Sequence, residues 1–358
     1  MSRLWRLATV AIVGPLVALG LSSIVIALST DRFLDLRNLQ NLSLQVSIVA
    51  LIAIGSTLVI LTAGIDLSPG SQVAVLTMLL ATFVKFNGQP LGVAIIEVVL
   101  IGAVLGLANG IMVAYLRIPS FIATLGTFTA YKGWAFLFNN GSPIFSVSDQ
   151  LEPIFYGKWL GVPRPLYYVV VLYFAAFVFL NYTIPGRAIY SVGGNEVAAR
   201  LSGINVARMR LLAFTLAGCC AGLASVLMTA RLNSGSPNYG AGFELQAIGA
   251  AVIGGASLAG GYGNILSTLL GALTIVVVQN GLNLNDVPTS WQQVVLGFII
   301  VFAVGVDSWK SQITTVGRRL LPRALGHRRA ETPLGSVPAP TGRSDTEVPE
   351  VTGPRKEE

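Results

Sequence analysis

The stretch PGRAIYSVGGNEVAARLSGINVARMR, residues 185–210, is a long polar interruption in the middle of an otherwise apolar chain. It carries four arginines, Arg187, Arg200, Arg208 and Arg210, and long apolar runs flank it on both sides. Between two membrane-crossing runs such a basic segment is a loop on the cytoplasmic side. Its centre is predicted to form a short helix. We expect another protein to dock there, which favours the membrane half of a pump driven by a separate motor over a free-standing carrier.

The composition indicates an integral membrane protein. The chain is 53% hydrophobic and 11% charged, whereas typical soluble domains are about 25% charged. Apolar runs near 20 residues match a hydrocarbon core of about 30 Å, and in lipid they must be helices because every backbone polar group has to be bonded within the segment. We predict an all-α polytopic bundle of about ten transmembrane helices. They are placed at residues 8–28, 43–63, 67–86, 91–116, 119–138, 166–183, 210–230, 243–260, 264–283 and 291–308.

Two of these runs are less regular than the others. The segments 67–86 and 243–260 are marked by Gly or Pro, so either one could be broken or re-entrant.

The basic residues predict the orientation of the bundle. Arg3 precedes the first run, Arg117 follows the fourth, the 185–210 loop follows the sixth and Lys310 follows the tenth. Because cytoplasmic loops carry an excess of Lys and Arg, both termini are predicted to be cytoplasmic. The net charge of +7 then reflects orientation, and no nucleic-acid partner is expected because no folded basic domain accompanies it.

The chain divides into a transmembrane domain, residues 1–310, and a cytoplasmic tail, residues 311–358. From about residue 325 the tail is rich in Pro, Ser, Thr and Glu, and it is predicted to be disordered because it has too few apolar residues to build a core. The first apolar run, at about 20 residues, is longer than the apolar region of a signal peptide and no cleavage motif follows it, so we do not expect it to be removed.

Motif searches point away from an enzyme. The sequence has no G-x-x-x-x-G-K-[ST] loop, so ATP hydrolysis is expected only in a separate subunit. The single histidine, His327, has no ligand cluster around it, and neither a metal site nor a cofactor is expected. Cys219 and Cys220 are adjacent in an apolar run, and we interpret them as packing residues because neighbours in a helix cannot pair.

Glycines are concentrated in three places. Gly102, Gly106 and Gly110 share one face of the fourth run, and Gly218 and Gly222 share one face of the seventh, which is typical of closely packed membrane helices. A substrate path between those helices is the alternative. The segment 254–263 is predicted to be either a structural turn or a gate that contacts the motor, and its glycines are Gly254, Gly255, Gly260, Gly261 and Gly263.

Four blocks of sequence carry a family resemblance. They are LTAGIDLSPGS at 61–71, IPSFIATLG at 118–126, the region 192–204 of the basic loop, and FELQAI at 243–248 with the glycine-rich segment after it. With these blocks the chain, over about residues 8–310, resembles the membrane permeases of bacterial ATP-binding-cassette importers, in the ribose and monosaccharide branch.

The resemblance implies the partners and the location. In such importers two permease copies, expected here to be a homodimer, lie in the lipid of the bacterial inner membrane. They receive a sugar from a periplasmic or extracellular binding protein, and a cytoplasmic ABC ATPase presses on a short coupling helix. That helix maps to about 195–204, with an ordinary solvated loop as the alternative. Its coupling residues would be Asn195, Glu196, Ala198, Ala199, Arg200, Gly203 and Ile204.

A path for sugars, which are neutral polyols, needs amides and hydroxyls rather than fixed charges. The candidates are Asn109, Thr124, Gln246, Gln279, Asn280 and Asn283. Each of them could equally form a hydrogen bond between helices. The identity of the sugar is left open, because in this family the binding protein supplies most of the substrate choice.

Charged residues in the apolar region lead to two expectations. Asp66 is expected at the cytoplasmic surface, capping or pairing, with a proton-relay role as the alternative. Ser68 is expected as N-cap and Pro69 in the first turn of the following helix. Glu97 and Lys132 lie at similar depths, roughly 9 Å from the outer ends of consecutive helices. They are predicted either to pair or to reach the surface independently.

Two other classes of transport protein remain as alternatives. A secondary, ion-coupled transporter of small polar solutes would require inverted repeats and an ion site in the membrane, and the sequence shows neither. A channel or structural scaffold would not need the 185–210 loop.

Overall fold

The computed structural model describes residues 2–320 of the chain, with side-chain surroundings for residues 12–305. Residues Met1–Ser311 form one compact unit, and the description below concerns that unit. Its helices are α1 (Ser2–Ser29), α2 (Leu36–Leu61), α3 (Pro69–Ala81), α4 (Leu91–Ala114), α5 (Ser120–Leu137), α6 (Glu152–Phe155), α7 (Arg164–Tyr182), α8 (Ile184–Gly194), α9 (Glu196–Leu201), α10 (Val206–Leu232), α11 (Phe243–Ile253), α12 (Ile265–Leu284) and α13 (Thr289–Leu320).

A few short elements complete the described part of the chain. A π-helical turn, Thr82–Phe86, continues α3. Four two-residue strands form two antiparallel ladders, in which β1 pairs with β4 and β2 pairs with β3. They are β1 (Ile144–Phe145), β2 (Lys158–Trp159), β3 (Val162–Pro163) and β4 (Ser234–Gly235).

The prediction of an all-α polytopic membrane protein is confirmed, while the number of helices that cross the membrane stays a prediction. Each of the ten predicted runs coincides with a helix. Among the described residues, only seven helices are long and apolar enough to cross a membrane alone. They are Ile12–Ser29, Leu36–Leu61, Pro69–Phe86, Leu91–Ala114, Arg164–Tyr182, Val206–Leu232 and Ile265–Leu284.

Of the two runs that could be broken or re-entrant, 243–260 is broken, because only its first part is helical. Helix α11 ends at Ile253 and has 11 residues. At 1.5 Å per residue it is about 16 Å long, roughly half of the 30 Å hydrocarbon core. The glycines after Ile253 account for this early end, because the segment turns back on itself, with a backbone hydrogen bond from Ser257 N to Tyr262 O of 2.9 Å.

The centre of the unit is α2. In its most apolar window 94% of the residues are buried, against 11% in α1 and 22% in α7. Helices α10, α11 and α12 all pack against α2. We therefore assign α2 to the protein core, while most of the described apolar residues of α1 and α7 lie on the outside of the unit.

The predicted close packing of glycine-bearing helices is confirmed for α4 and α10. A Cβ atom on Gly106 would lie 2.2 Å from the carbonyl oxygen of Phe214, and one on Gly218 would lie 2.1 Å from that of Gly102. Contacts this short leave no room for a side chain. The backbones of the two helices therefore touch directly, as small-residue faces allow.

Two segments of the chain share one order of elements and run in opposite directions, and we call this pair the inverted repeat. In residues 36–114 a long helix is followed by an irregular stretch, a second helix and a third, and residues 206–284 repeat that order. Helix α2 ends where Gly261 N donates to Leu61 O at 3.0 Å. We call this end of the unit, which also holds α9, the α9 end. Helix α10 starts at the α9 end and finishes beside β4, so the long helices of the two repeats are antiparallel.

The two helices that follow the irregular stretches meet near the middle of the unit. Residues 234–240 run antiparallel to α3, because Gly235 lies against Thr77 and Gly240 lies against Gly70. A Cβ atom on Gly70 would lie 2.0 Å from Oε2 of Glu244. The N-termini of α3 and α11 therefore adjoin, and the two helices run in opposite directions from this point, which we call the central break.

Candidate functional site

Helix α9 is a separate six-residue element between α8 and α10. Its N-cap is Asn195, whose side-chain oxygen accepts a hydrogen bond from Ala198 N at 3.0 Å. Its C-terminus closes through a bond from Ile204 N to Ala199 O at 3.0 Å, and Gly203 follows in the left-handed region at φ +81°. The short helix predicted within the basic loop is therefore present, with caps at both ends.

Glu196 joins α9 to α10. Its carboxylate accepts hydrogen bonds from Arg200 at 2.8 Å and from Arg210 at 2.7 Å. Partial burial acts to raise the pKa of Glu196, but the hydrogen bonds and positive charges of Arg210 and Arg200 outweigh it and hold the pKa below its usual value. The first residue of α9 is therefore ionised at neutral pH and holds α9 against the start of α10.

Two apolar side chains project from α9 into solvent, and the sequence analysis did not select them. Val197 is 69% exposed and Leu201 is 86% exposed, and they lie one turn apart on the same face. The opposite side of α9 is anchored by Ala199, which is buried with Val192 and Val206. The signal available in the sequence was the pair of apolar residues four positions apart in a polar loop.

A cleft of about 960 Å³ lies beside α9. Its walls come from α9, the start of α10, the connection between α4 and α5, and residues 62–64 after α2. Three arginines, Arg117, Arg200 and Arg210, line it together with Glu196. This surface therefore carries a net positive charge next to the exposed apolar pair.

The glycine-rich segment 254–263 packs at the same end of the unit. Gly260 lies against Ala63, Gly261 against Gly194 and Gly254 against Thr268, at would-be Cβ distances of 2.7, 2.3 and 2.7 Å. Gly255 has a left-handed backbone and Gly263 packs against Ala256. The segment forms a tight turn in contact with the ends of α2 and α8.

At the central break, four polar side chains form one buried network. Ser68 Oγ donates to Asp66 Oδ1 at 2.6 Å and accepts from Gln72 Nε2 and Asn109 Nδ2, both at 2.8 Å. Asp66 is only 2% exposed and the other three are fully buried. The expectation that Asp66 lies at the surface is wrong, because the irregular stretch after α2 turns inward.

The expected start of α3 is partly confirmed. Ser68 occupies the N-cap position and Pro69 is the first residue of the helix, but the Ser68 side chain makes no capping bond within α3. Its oxygen accepts from Gln72 Nε2 and Asn109 Nδ2 instead, and Asp66 Oδ1 accepts from Ser68 N at 2.8 Å.

The candidate path residues fall into two groups, one of them at the central break. Asn109 bonds to Ser68, and Thr124 Oγ1 accepts from Leu67 N at 3.1 Å. Gln246 lies in the first turn of α11 and is 9% exposed, with no hydrogen-bond partner for its Oε1 among the described residues. These three surround the N-termini of α3 and α11, although sequence analysis missed Ser68 and Gln72 between them.

The second group lies at the end of α12, away from the break. Asn280 exchanges two hydrogen bonds with Asn38, at 2.8 and 2.9 Å, and so ties α12 to α2. Asn283 accepts from Gln292 at 2.7 Å, while Gln279 is half-buried. The six candidates therefore do not form one continuous polar surface within the described part of the chain.

Of the two arrangements expected for Glu97 and Lys132, the ion pair is absent from the described residues, whose ion pairs all involve Glu196. The charge of Lys132 acts instead on Glu244 of α11. Equal depth in the membrane did not bring the two side chains together, since depth leaves rotation about each helix axis undetermined.

Comparison with known proteins identifies the family to which this chain belongs. Residues 38–304 match the family described as branched-chain amino acid transport system / permease component. The ribose import permease protein RbsC of Escherichia coli K12 is 40% identical over 299 residues, which cover 82% of this chain and 93% of that protein. The RbsC of Bacillus subtilis is 40% identical over 300 residues, covering 83% and 93%.

A third relative has a different printed substrate. The D-allose transport system permease protein AlsC of E. coli K12 is 37% identical over 281 residues, covering 78% of this chain and 86% of that protein. No solved structure gives a significant match.

Together, the helical bundle and these matches define a multi-pass membrane transport protein of the bacterial inner membrane. The chain belongs to the family of transport-system permease components. The resemblance to importer permeases of the ribose branch is confirmed. The chain is a transporter subunit, not an enzyme, and ATP hydrolysis belongs to a separate subunit.

Proposed function

We propose that this chain is the permease subunit of an ABC importer that carries a monosaccharide delivered by a periplasmic or extracellular binding protein. The observation that supports it most directly is the short helix α9, which is capped at both ends and presents Val197 and Leu201 to solvent. The ion pairs of Glu196 with Arg200 and Arg210, which we call the clasp, hold it against α10. An apolar pair on a rigid helix is suited to insertion into a cleft of a cytoplasmic ATPase. Relatives with the printed functions ribose import and D-allose transport support the substrate class.

In this proposal the α9 end faces the cytoplasm. The cleft arginines then lie on the side where basic residues are enriched. Helix α9 is the coupling helix, with Asn195 and Gly203 setting its two ends, Glu196 and Arg200 forming part of its clasp, and Ala198, Ala199 and Ile204 completing it. Both chain termini are proposed to be cytoplasmic as well.

The sugar is proposed to pass near the central break. Helices interrupted near mid-membrane place helix N-termini and unsatisfied polar groups where a solute can meet them. Asn109, Thr124 and Gln246 are the candidate residues that lie around this point. A second permease subunit, for which we propose an identical copy, completes the path, and the molar mass of the purified importer in detergent tests that proposal.

The alternative, an ion-coupled secondary transporter, gains one feature from the structure, since the inverted repeat is of the kind seen in that class. Family membership and the docking helix favour the importer.

The coupling role is tested by charge placed on the exposed face of α9. The variant Val197→Asp/Leu201→Asp should lose association with the ATPase subunit and lose uptake while remaining folded in the membrane. Leu160→Asp is the matched control, because Leu160 is 83% exposed and lies in the turn between β2 and β3. Normal ATPase co-purification and uptake with the α9 variant would remove the coupling assignment.

A second test uses the backbone of the same helix. Deletion of residues 195–204, or replacement of Gly203 by valine, should abolish ATP-driven uptake with the permease still in the membrane. Valine tolerates the left-handed conformation poorly. Gly203 has open space around it, so loss of uptake would report on the shape of the helix end and not on a steric clash.

A further inference from the structure

Three oxygen atoms of the network at the central break have no hydrogen-bond partner among the described residues. They are Asp66 Oδ2, Gln72 Oε1 and Asn109 Oδ1. Each belongs to a carboxyl or amide group whose other polar atom is bonded to Ser68. The three atoms therefore belong to groups that meet at one hydroxyl, and an amide or carboxylate oxygen can only accept a hydrogen bond. Buried polar groups are rarely left unpaired, so the group lacks a donor.

No described side chain supplies that donor. The amide groups of Gln72 and Asn109 each donate one N–H to Ser68 Oγ and none to the three oxygens. Tyr131, which interacts electrostatically with Asp66, gives its hydroxyl proton to Leu105 O at 3.1 Å. Asp66 forms no ion pair with a described residue.

Charged groups on the neighbouring helices do not fill the role either. Glu244 of α11, which packs on Gly70, is itself acidic, and Lys132 of α5 acts on Glu244. Helix α4 carries Glu97 about three turns from Asn109, and α10 carries the thiols Cys219 and Cys220. An ionised carboxylate at this buried position would cost several kcal/mol.

We propose that Asp66 holds a proton on Oδ2 and donates it to the side-chain oxygen of Asn109 or Gln72. The proton is the missing donor, and its presence leaves the network neutral. A protonated Asp66 fastens the inward-turning stretch after α2 to α3 and α4 at the central break. The acid is thus a hydrogen-bond donor in the path region and not a fixed negative charge, which suits passage of an uncharged solute. This second statement rests on the proposed function, whereas the protonation does not.

The decisive comparison is between two substitutions at one position. Asp66→Asn supplies an amide N–H where the acid supplies O–H, so it should keep its melting temperature in detergent within about 2 °C of wild type. Asp66→Ala leaves the buried amide oxygens unsatisfied and should lower the melting temperature by at least about 4 °C. These measurements need no knowledge of the transported solute.

Infrared spectroscopy on the full-length protein in lipid nanodiscs gives the second readout. At neutral pH the carbonyl stretch of a protonated carboxylic acid should be present in the wild type and in Glu244→Gln, and its intensity should fall in Asp66→Asn. Glu244→Gln is the matched control because Glu244 is the other buried carboxyl at the break.

Two results would overturn the proposal. One is a wild-type spectrum in which Asp66→Asn removes only carboxylate intensity, with Asp66→Asn as unstable as Asp66→Ala. This would mean that Asp66 is ionised and that the amide groups of Asn109 and Gln72 are flipped, so that their N–H groups donate to its carboxylate. The other is sodium-dependent thermal stability that Asp66→Asn abolishes, which would mean that a metal cation fills the site. If Asp66→Asn is stable but uptake fails, the protonation stands and the proposed sugar path is in doubt.

Discussion

Residues placed at equal depth in a membrane need not meet, and Glu97 and Lys132 show why. Each lies on its own helix, and the direction in which each side chain projects depends on how the helices pack. Glu97 is half-buried and Lys132 is exposed, with no ion pair between them. Lys132 acts on Glu244, which is distant in sequence. Spacing along a helix predicts a depth, but the partner of each side chain depends on the tertiary fold.

A double-mutant cycle tests this result. Glu97→Ala and Lys132→Ala should have additive effects on melting stability in detergent, with a coupling energy within about 0.5 kcal/mol of zero. The reason is that Glu97 and Lys132 form no ion pair with each other, so each substitution acts on its own surroundings. A coupling energy of about 3 kcal/mol, in the range for a broken buried pair, would contradict the arrangement seen here.

Glycine at position 106 is required by a backbone contact and not by a turn. Gly106→Ala places a methyl group 2.2 Å from the carbonyl oxygen of Phe214, so α4 and α10 must separate. Overpacking of this kind costs about 1–3 kcal/mol. We expect a lower melting temperature and less folded protein after extraction. Gly126→Ala in α5 is the control, since nothing lies within 4 Å of the added atom, and an equal loss there would refute the contact argument.

At the scale of elements, hydropathy located the helices but not their breaks. The run 67–86 begins as a helix at Pro69, close to the prediction, because Pro fits the first turn. The run 243–260 is helical only to Ile253, and its glycines indicate a break without showing where the helix ends. The sequence indicated only part of the buried network at the central break. Asn109 was visible as an amide in an apolar run, whereas Ser68 and Gln72 needed the fold to give them partners.

The ion pairs of the clasp on α9 should affect binding of the ATPase subunit, with little effect on the melting temperature. Glu196→Gln removes both ion pairs, but exposed pairs contribute about 1 kcal/mol or less. We therefore expect an almost unchanged melting temperature and weaker binding of the ATPase subunit. Arg210→Gln should reproduce the defect, and the double variant should be no worse than either one. Additive losses would show that the two residues act separately.

The same clasp has a defined pH dependence. Because the pKa of Glu196 is lowered on folding, its contribution is present above the unfolded value of 4.5 and is lost as the pH falls through the folded value. The difference in ATPase binding between wild type and Glu196→Gln should therefore stay constant from about pH 6 to about pH 8, the range around physiological pH. A difference between wild type and Glu196→Gln that disappears within that window would contradict the lowered pKa.

At the scale of the whole molecule, the parts to which we assign functions lie within the region shared with the family. The family match spans residues 38–304, and this interval contains α9, the central break and all but the first two residues of the inverted repeat. Because the repeats are antiparallel, α3 and α11 extend in opposite directions from the central break. This arrangement follows from the topology, and no single run of residues reveals it. The residues beyond about 325, including His327, lie outside the described residues, so the predicted disorder of the tail stays a prediction.

That tail supplies the last test. A chain that stops after about residue 325 should retain nearly wild-type uptake, because a segment rich in Pro, Ser, Thr and Glu has too little apolar surface to form part of a packed core. The control is a chain that stops after Leu284. It lacks α13, whose Ile300 side chain packs against Gly249 of α11, so it should be unstable and inactive. Uptake is compared at equal membrane expression. Loss of uptake on removal of the tail alone, with normal expression and normal ATPase binding, would assign the tail a regulatory role. Loss of ATPase binding in the same variant would instead place the tail in the interface and extend the docking surface beyond α9.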